Sequence, residues 1–172
     1  FSSVNSVSGT SIGNLQITAG HSASCQDGED YGYCIGTHSS AVFKKVQKIA
    51  LASGSTSYIS DSLYNINRTT GCSSTTHGYT AGGHYYNGPA GGNYTKAINR
   101  FQFSTGSSAT EVGTLAGAAR HDPNGCSGET TGFCAGGVTA SSTVDKFNYS
   151  NSAVSSSSWG TLNDGGNVYG GN

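Results

Sequence analysis

The sequence predicts an all-β fold, and three of its features lead to this prediction. Only 10% of the 172 residues are charged, whereas Gly occupies 27 positions and Tyr 10. Chains rich in Gly, Tyr and Thr suit short strands that are joined by tight turns. No stretch carries the sustained apolar period that a helix requires, and one short motif recurs along the chain.

The recurring motif combines an aromatic residue, small residues and glycine. It reads "GYCIGT" at 32–37, "GYTAGG" at 78–83, "GFCAGG" at 132–137 and, in a shortened form, "VYGG" at 168–171. We interpret each copy as a short buried strand that ends in glycine. A larger side chain there would keep another backbone from approaching closely.

The stretches that precede the motifs recur in register with them. They begin at Phe1, Ile49, Phe101 and Phe147, and each closes on a leucine. A period of roughly 50 residues with glycine doublets indicates a propeller or a solenoid. We therefore predict a single repeat domain over residues 1–172, with units that start near residues 1, 49, 101 and 147.

The rest of each unit also reads as β-structure. A variable loop follows the motif, and then comes a strand of alternating apolar and polar residues, as in "KAINRFQF" at 96–103. A Gly/Ser turn leads to a third strand, such as "ATEVGTL" at 109–115, and a polar return loop leads to the next motif.

This order of features resembles the kelch repeat of β-propellers. Trp159 matches the kelch tryptophan position, where Val112 and Ile12 stand in two other units. The stretch "NRFQFSTGSSATEVGTL" also resembles kelch-like repeats of marine phage structural and tail-fibre proteins. The resemblance implies a kelch-like β-propeller of about four short blades, sealed by strands shared between the two ends of the chain. A segment of a larger propeller and an open stack of β-repeats are the alternatives.

The five cysteines occupy related positions of the repeat. Cys25 and Cys126 lie in return loops, Cys34 and Cys134 follow in motif strands, and Cys72 lies in a loop whose motif strand has threonine instead. If each loop folds back onto its strand, this pattern predicts disulfides Cys25–Cys34 and Cys126–Cys134, with Cys72 free or bonded to another chain. Disulfides indicate an oxidising, extracellular setting. Five thiols in a reducing cytosol are the alternative.

Three N-glycosylation sequons agree with an extracellular setting, at Asn67, Asn93 and Asn148. Asn67 and Asn93 fall in predicted loops, whereas Asn148 lies in a predicted strand and is accessible only if its face is solvated. A chain so rich in Asn, Ser and Thr also produces such triplets by chance, so both interpretations stay open.

The histidines do not form a catalytic grouping with a nucleophile and an orienting group. His21 and His121 follow the closing leucines of two units at the same distance, so we interpret them as a repeated loop contact. The charges, 8 Lys+Arg against 9 Asp+Glu, leave no electrostatic footprint for nucleic acid, and no apolar run predicts membrane insertion. We predict a protein that is not an enzyme and uses no cofactor.

Two groups of residues contain side chains that can bind metal ions. His77 and His84 flank a motif strand at an odd spacing, which places their side chains on opposite faces. Asp27, Glu29 and Asp30 carry oxygen ligands of the kind calcium prefers, but without the spacing of an EF-hand. The sequence therefore predicts no metal site and a solvated acidic loop.

The loop after the second motif is the predicted binding surface. It contains His84, Tyr85, Tyr86, Asn87 and Tyr94. Tyr and Asn on a rigid scaffold stack on sugars and bond to their hydroxyls, and they are equally typical of protein–protein contacts. Plain packing of the loop is the third interpretation.

These observations predict a non-enzymatic structural or adhesive module of an extracellular or virion assembly, such as a fibre, a tail fibre or a surface protein. Its partners would be other protein subunits, including copies of itself. The alternative is a carbohydrate-binding, lectin-like propeller that recognises a receptor.

Overall fold

A computed structural model describes the residues in the ranges 10–16, 21–36, 45–62, 65–86, 92–139, 142–150 and 153–163. These residues form fifteen strands and no helix, which confirms the all-β prediction. Residues 1–9 of the stretch that begins at Phe1 and the "VYGG" motif at 168–171 lie outside the described residues.

Twelve of the strands form three antiparallel units of four strands, arranged in sequence order within each unit. The strands of unit 1 are β1 (Ala23–Gln26), β2 (Tyr31–Ile35), β3 (Lys45–Ala50) and β4 (Thr56–Asp61). A further sheet begins with β5 (Ile66–Asn67).

Unit 2 contains an insertion between its second and third strands. Its own strands are β6 (Thr70–Ser73), β7 (His77–Ala81), β10 (Ala97–Gln102) and β11 (Thr110–Thr114). The insertion forms the hairpin of β8 (His84–Tyr86) and β9 (Gly92–Tyr94), and β8 pairs with β5.

Unit 3 repeats the arrangement with β12 (Asn124–Ser127), β13 (Thr131–Ala135), β14 (Thr143–Asn148) and β15 (Val154–Thr161). The fourth strands β11 and β15 pair in parallel, so units 2 and 3 share one eight-stranded sheet.

The units repeat at the level of single residues. In each, the pairing of the third strand with the fourth is interrupted by a bulge at the same place, beside Gln47 in unit 1, Asn99 in unit 2 and Asp145 in unit 3. A bulge bends its strand and increases the local twist. The third and fourth strands of the three units therefore bend at the same place.

The first strand of each unit lies where the sequence analysis expected a return loop. These strands read ASCQ, TGCS and NGCS, so they lack the alternation of large apolar and polar residues by which strands are recognised. They pair with the motif strands β2, β7 and β13. β1, β6 and β12 pack side by side around one line, which we call the axis.

Hydrogen bonds of the same kind join successive first strands along the axis. The backbone N–H of Gln26 donates to Ser73 Oγ at 3.3 Å, and that of Ser73 donates to Ser127 Oγ at 2.8 Å. These three residues are equivalent in the three units. Unit 1 is thus tied to unit 2 as unit 2 is tied to unit 3.

A second set of bonds lies at the other end of the first strands. The backbone N–H of Arg68 donates to the carbonyl of His21, and that of Asp122 donates to the carbonyl of Arg68, both at 2.8 Å. All three residues have a left-handed backbone, with φ of 55°, 52° and 55°. The equivalent of His21 in unit 3 is therefore Asp122, which corrects the expected match of His21 with His121.

The core lies between the units, and a pair of stacked aromatic rings recurs in it. Tyr33 of unit 1 stacks on Phe103 of unit 2, with ring centroids 4.5 Å apart. Tyr79 of unit 2 stacks on Tyr149 of unit 3 in the same way, at 4.8 Å. Aromatic pairs of this kind contribute beyond the area they bury.

The glycine that opens the recurring motif is explained by the strand beside it. Gly78 pairs with Phe101, and Gly132 pairs with Phe147. A Cβ atom on either glycine would collide with the ring of its phenylalanine, which lies across the glycine backbone. The glycine of the motif therefore makes room for the aromatic ring of the neighbouring strand. In unit 2, the aromatic residue that follows this glycine, Tyr79, packs against the next unit.

One ion pair is buried completely in unit 3. The Arg120 guanidinium contacts the Asp145 carboxylate, and both side chains have no exposed surface. Arg120 also donates to the carbonyls of Thr143 and Cys134 at 3.4 Å. Gln47 and Asn99 occupy the position of Asp145 in the other units and are buried as well. A polar residue beside the bulge is thus part of the repeat.

The expected disulfides are not formed, and all five cysteines are free thiols. The hairpin register explains the error. Cys25 lies opposite Tyr33 and Cys34 lies opposite Ser24, so the two cysteines project from opposite faces of the sheet. Cys126 and Cys134 are related in the same way.

The thiols interact across the boundaries between units instead. Cys72 Sγ lies 3.3 Å from the carbonyl oxygen of Phe133, and its neighbouring thiols are Cys134 and Cys126 of unit 3. Burial raises the pKa of Cys72 to about 12 and that of Cys134 to about 11. Burial also raises the pKa of Cys25 and of Cys34.

We expect these differences in burial to appear in thiol reactivity. At pH 8, Ellman's reagent should modify Cys126 rapidly and the other four cysteines slowly, because only Cys126 is exposed and the thiolate is the reactive form. Cys126→Ser should remove the fast phase of the reaction. Denaturant should expose all the thiols, so that all of them react quickly. If only one thiol per chain reacted after unfolding in denaturant without a reducing agent, the other four would be in disulfides and the free-thiol state would be wrong.

Candidate functional site

The inserted hairpin β8–β9 positions an aromatic cluster above the boundary of units 2 and 3. His84 lies opposite Tyr94 in the hairpin, with ring centroids 5.7 Å apart. The Tyr94 ring also lies 4.4 Å from the imidazole of His121, which belongs to the strand-like connection before unit 3. Tyr94 is 44% exposed, whereas His121 is buried. The cluster therefore presents one phenol ring to solvent on a buried imidazole support.

Asp122 and Arg68 fix the position of the His121 imidazole. His121 Nδ1 lies 2.7 Å from Asp122 Oδ2, and that oxygen lies 3.4 Å from an Arg68 guanidinium nitrogen. The left-handed backbones of Arg68 and Asp122 place both side chains at the same end of the axis. A carboxylate between an imidazole and a guanidinium fixes the orientation of the ring on which Tyr94 rests.

The surroundings of His84 favour the uncharged form of its imidazole. Burial lowers the pKa of His84, and the nearby His121 and Arg68 lower it further. A backbone contact with Gly92 and the Asp122 carboxylate act in the opposite direction. The surface around Tyr94 is thus aromatic and polar, with the charges of Arg68 and Asp122 offsetting each other.

The structure brings only part of the predicted binding loop together. His84 and Tyr94 face each other, whereas Tyr85 is half-buried and pairs with Ile66 in β5. Tyr86 ends β8, and Asn87 lies outside the described residues. The sequence analysis interpreted His121 as a repeated loop contact and did not place it in this cluster, because its contact with Tyr94 depends on the packing of unit 3 against unit 2.

The acidic loop of unit 1 has a structural role. Asp27 Oδ1 accepts hydrogen bonds from the backbone N–H groups of Asp30 at 3.2 Å and Tyr31 at 3.0 Å, and Oδ2 accepts one from the Tyr33 hydroxyl at 3.2 Å. Burial opposes ionisation of Asp27, but these bonds outweigh it and lower the pKa of the carboxyl. Asp27 therefore caps the turn between β1 and β2 and lines a cleft of about 660 Å³ between units 1 and 2.

The three sequons differ in accessibility. Asn67 is buried in β5, which corrects its expected loop position, because a buried side chain has no room for a glycan. Asn93 is exposed in β9 rather than in a loop, and Asn148 is exposed at the end of β14.

The described residues contain no group of three or more His, Cys, Asp or Glu side chains that could hold a metal ion. In the same part of the chain, no helix has the length and apolar character needed to cross a membrane.

Comparison with known proteins finds solved structures with a similar fold but no family. No family model matches the chain, and no curated protein matches it. Among 99 solved chains that match in structure, one of YjhT has a TM-score of 0.68 at 12% sequence identity. The match covers 87% of this chain and 54% of that one, so the chain spans about half of its length. The likeness shows the fold alone.

Proposed function

We propose that the chain is a kelch-like segment of a β-propeller and serves as a non-enzymatic structural or adhesive module of an extracellular or virion assembly. The three units would be blades, with β1, β6 and β12 as their innermost strands. The repeated bonds between these strands support this proposal, as does the repeated stacking of Tyr33 and Tyr79 on the following unit.

The exposed Tyr94 ring carries the adhesive part of the proposal. It lies on the hairpin that unit 2 inserts between its second and third strands, and it is backed by His121 and by the Asp122–Arg68 pair. An aromatic ring that is already fixed in position loses little conformational entropy when it is covered by a partner. This hairpin is therefore the contact surface that we assign to the module.

Because the cysteines are free, disulfides do not support the proposed location outside the cell. It is supported by the resemblance to phage and fibre repeats and by the accessible sequons at Asn93 and Asn148. The proposed partners are protein subunits, including further copies of this chain.

We expect Tyr94→Ala to weaken adhesion by about tenfold or more, as the loss of a central aromatic contact does in other interfaces. Binding of the purified chain to the particles or filaments in which it occurs would be measured by surface plasmon resonance. Tyr31→Ala, which removes a partly buried ring of unit 1 away from the hairpin, is the control and should bind like the unchanged protein. Equal binding by both variants would remove the hairpin from the contact surface.

Carbohydrate binding is the second candidate, and the same ring favours it. A tyrosine face beside two imidazoles can stack on a pyranose ring, and the polar ring atoms can bond to its hydroxyls. A glycan array separates the two candidates. Saccharide binding that Tyr94→Ala abolishes would favour the lectin-like function, and an array without signal would favour the protein contact.

A further inference from the structure

Two buried cysteines lie on opposite sides of the boundary between units 2 and 3. Cys72 lies opposite Tyr79 in unit 2, so it projects from the face of that unit which packs on unit 3. Cys134 belongs to unit 3 and to the same buried cluster as Cys72 and Tyr79. Cys72 is 2% exposed and Cys134 has no exposed surface. The two units therefore contribute one thiol each to a shared core.

The distance between these two cysteines is within the reach of a disulfide. Cys72 Sγ lies 3.3 Å from the carbonyl oxygen of Phe133, the residue that precedes Cys134. The planar peptide bond holds this oxygen about 3 Å from Cys134 Cα, which therefore lies about 6 Å or less from Cys72 Sγ. In a disulfide, a sulfur atom lies about 4 Å from the Cα atom of its partner, so side-chain rotation and a shift of about 2 Å would close the gap.

The other thiol of unit 3 projects away from Cys72. Cys126 lies opposite Phe133, and both project from the face of unit 3 that carries Trp159. Successive residues of a strand point to opposite faces, so Cys134 projects from the other face, toward unit 2. Cys134 is therefore the partner that the strand register offers to Cys72.

The equivalent boundary of units 1 and 2 has a thiol on one side only. Cys25 occupies the place of Cys72 in unit 1. Thr80 occupies the place of Cys134 in unit 2, where it is buried as well. Threonine cannot form a disulfide, so only the second of these two boundaries has a sulfur atom on each side.

A buried charge favours the reactive form of Cys134. Burial raises the pKa of this thiol to about 11, although the Arg120 guanidinium acts in the opposite direction and the Asp145 carboxylate adds to the increase. The guanidinium also donates to the Cys134 carbonyl at 3.4 Å. Because the thiolate is the form that attacks a disulfide, Arg120 supports the reaction of Cys134.

We propose that Cys72 and Cys134 form a redox pair, and that a small-molecule disulfide such as glutathione disulfide oxidises them to a bond between units 2 and 3. The thiolate of one cysteine attacks a sulfur of the oxidant and expels one glutathione thiolate. The thiolate of the other cysteine then attacks the protein sulfur of this mixed disulfide and expels the second glutathione. The chain loses two thiol protons and two electrons, and the two glutathione molecules gain them.

The free thiols of the structure are the reduced form of this pair. Because both thiols are buried, the exchange takes place before the boundary has closed, while the two units assemble during folding. This inference does not depend on the adhesive role of Tyr94.

Refolding of the full chain from urea in a buffer of glutathione and glutathione disulfide tests the proposal. Mass spectrometry of peptides, without reduction, should find Cys72 linked to Cys134 in most chains. The other three cysteines, Cys25, Cys34 and Cys126, should not be linked to a cysteine of the chain. A different pairing, or a refolded chain with no internal disulfide, would overturn the proposal.

Variants test the pairing from both directions. Cys134→Ser should abolish the internal disulfide, whereas Cys126→Ser should retain it. Thr80→Cys supplies the missing thiol at the first boundary and should form a second disulfide, with Cys25. A Thr80→Cys chain that lacked this second disulfide would contradict the assignment of faces on which the pairing rests.

Thermal unfolding shows whether the disulfide fits the native fold. The oxidised chain should unfold at a midpoint about 10 °C higher than the reduced chain, because the bond closes a long loop in the unfolded state. Dithiothreitol should reverse this increase, and Cys72→Ser should show no difference between the two conditions. An oxidised chain whose midpoint was no higher than that of the reduced chain would overturn the proposal.

Discussion

Asp145→Ala should lower the free energy of unfolding by about 3–5 kcal/mol, because it leaves the Arg120 guanidinium buried without a counter-charge. The measurement is urea unfolding followed by tyrosine and tryptophan fluorescence. Replacing both partners, with Arg120→Met and Asp145→Ala, should cost less than Asp145→Ala alone, since no buried charge then lacks a partner.

An exposed ion pair provides the matched control. Lys45 Nζ lies 2.6 Å from Asp61 Oδ1, but the two side chains are 35% and 48% exposed. Asp61→Ala should therefore change the free energy of unfolding by about 1 kcal/mol or less. If the two aspartate variants lost the same stability, the burial of the Arg120–Asp145 pair would have no energetic consequence and this interpretation would be wrong.

Gly71→Ala should destabilise the protein by about 3 kcal/mol, at the upper end of what overpacking costs. A Cβ atom on Gly71 would overlap the backbone carbonyl oxygen of Ser24 in the neighbouring first strand. Backbone atoms cannot move aside like the end of a side chain, so β1 and β6 would have to separate. The bond from Gln26 to Ser73 lies along the same pair of strands and would lengthen with them.

Gly160→Ala is the control for this change. Gly160 lies in β15, and an added Cβ atom would meet no atom within 4 Å. Alanine also loses less conformational entropy than glycine on folding, so this variant should be as stable as the unchanged protein or slightly more stable. Thermal unfolding of the two variants side by side decides the question. Equal midpoints would show that the first strands are not in close contact.

The sequence was sufficient to predict the all-β fold, because the glycine of the motif and the aromatic residue of the next strand recur together. Gly78 with Phe101 and Gly132 with Phe147 are such pairs, and a recurring pair indicates a recurring contact. The first strand of each unit could not be predicted, because its small polar residues carry no alternation. Its position depends on pairing with the motif strand and on packing at the axis.

The disulfide prediction was wrong because equivalent positions in the repeat do not determine the face of the sheet from which a side chain projects. The nine residues from Cys25 to Cys34 include a turn, and the register that follows it places Cys25 opposite Tyr33. A shift of one residue would have placed the two cysteines on the same face. Only part of the cluster at Tyr94 could be predicted, because the cluster also depends on contacts that sequence spacing does not determine. The hairpin residues were visible in sequence, but His121 comes from another unit.

The contact between Tyr94 and His121 has a consequence for how recognition depends on folding. The hairpin is supplied by unit 2 and the imidazole beneath it by the connection to unit 3, so neither unit alone contains the finished surface. A molecule in which these neighbours have separated would lose the supported ring while keeping every residue of the hairpin. Attachment through this surface would therefore report that the two units are correctly joined.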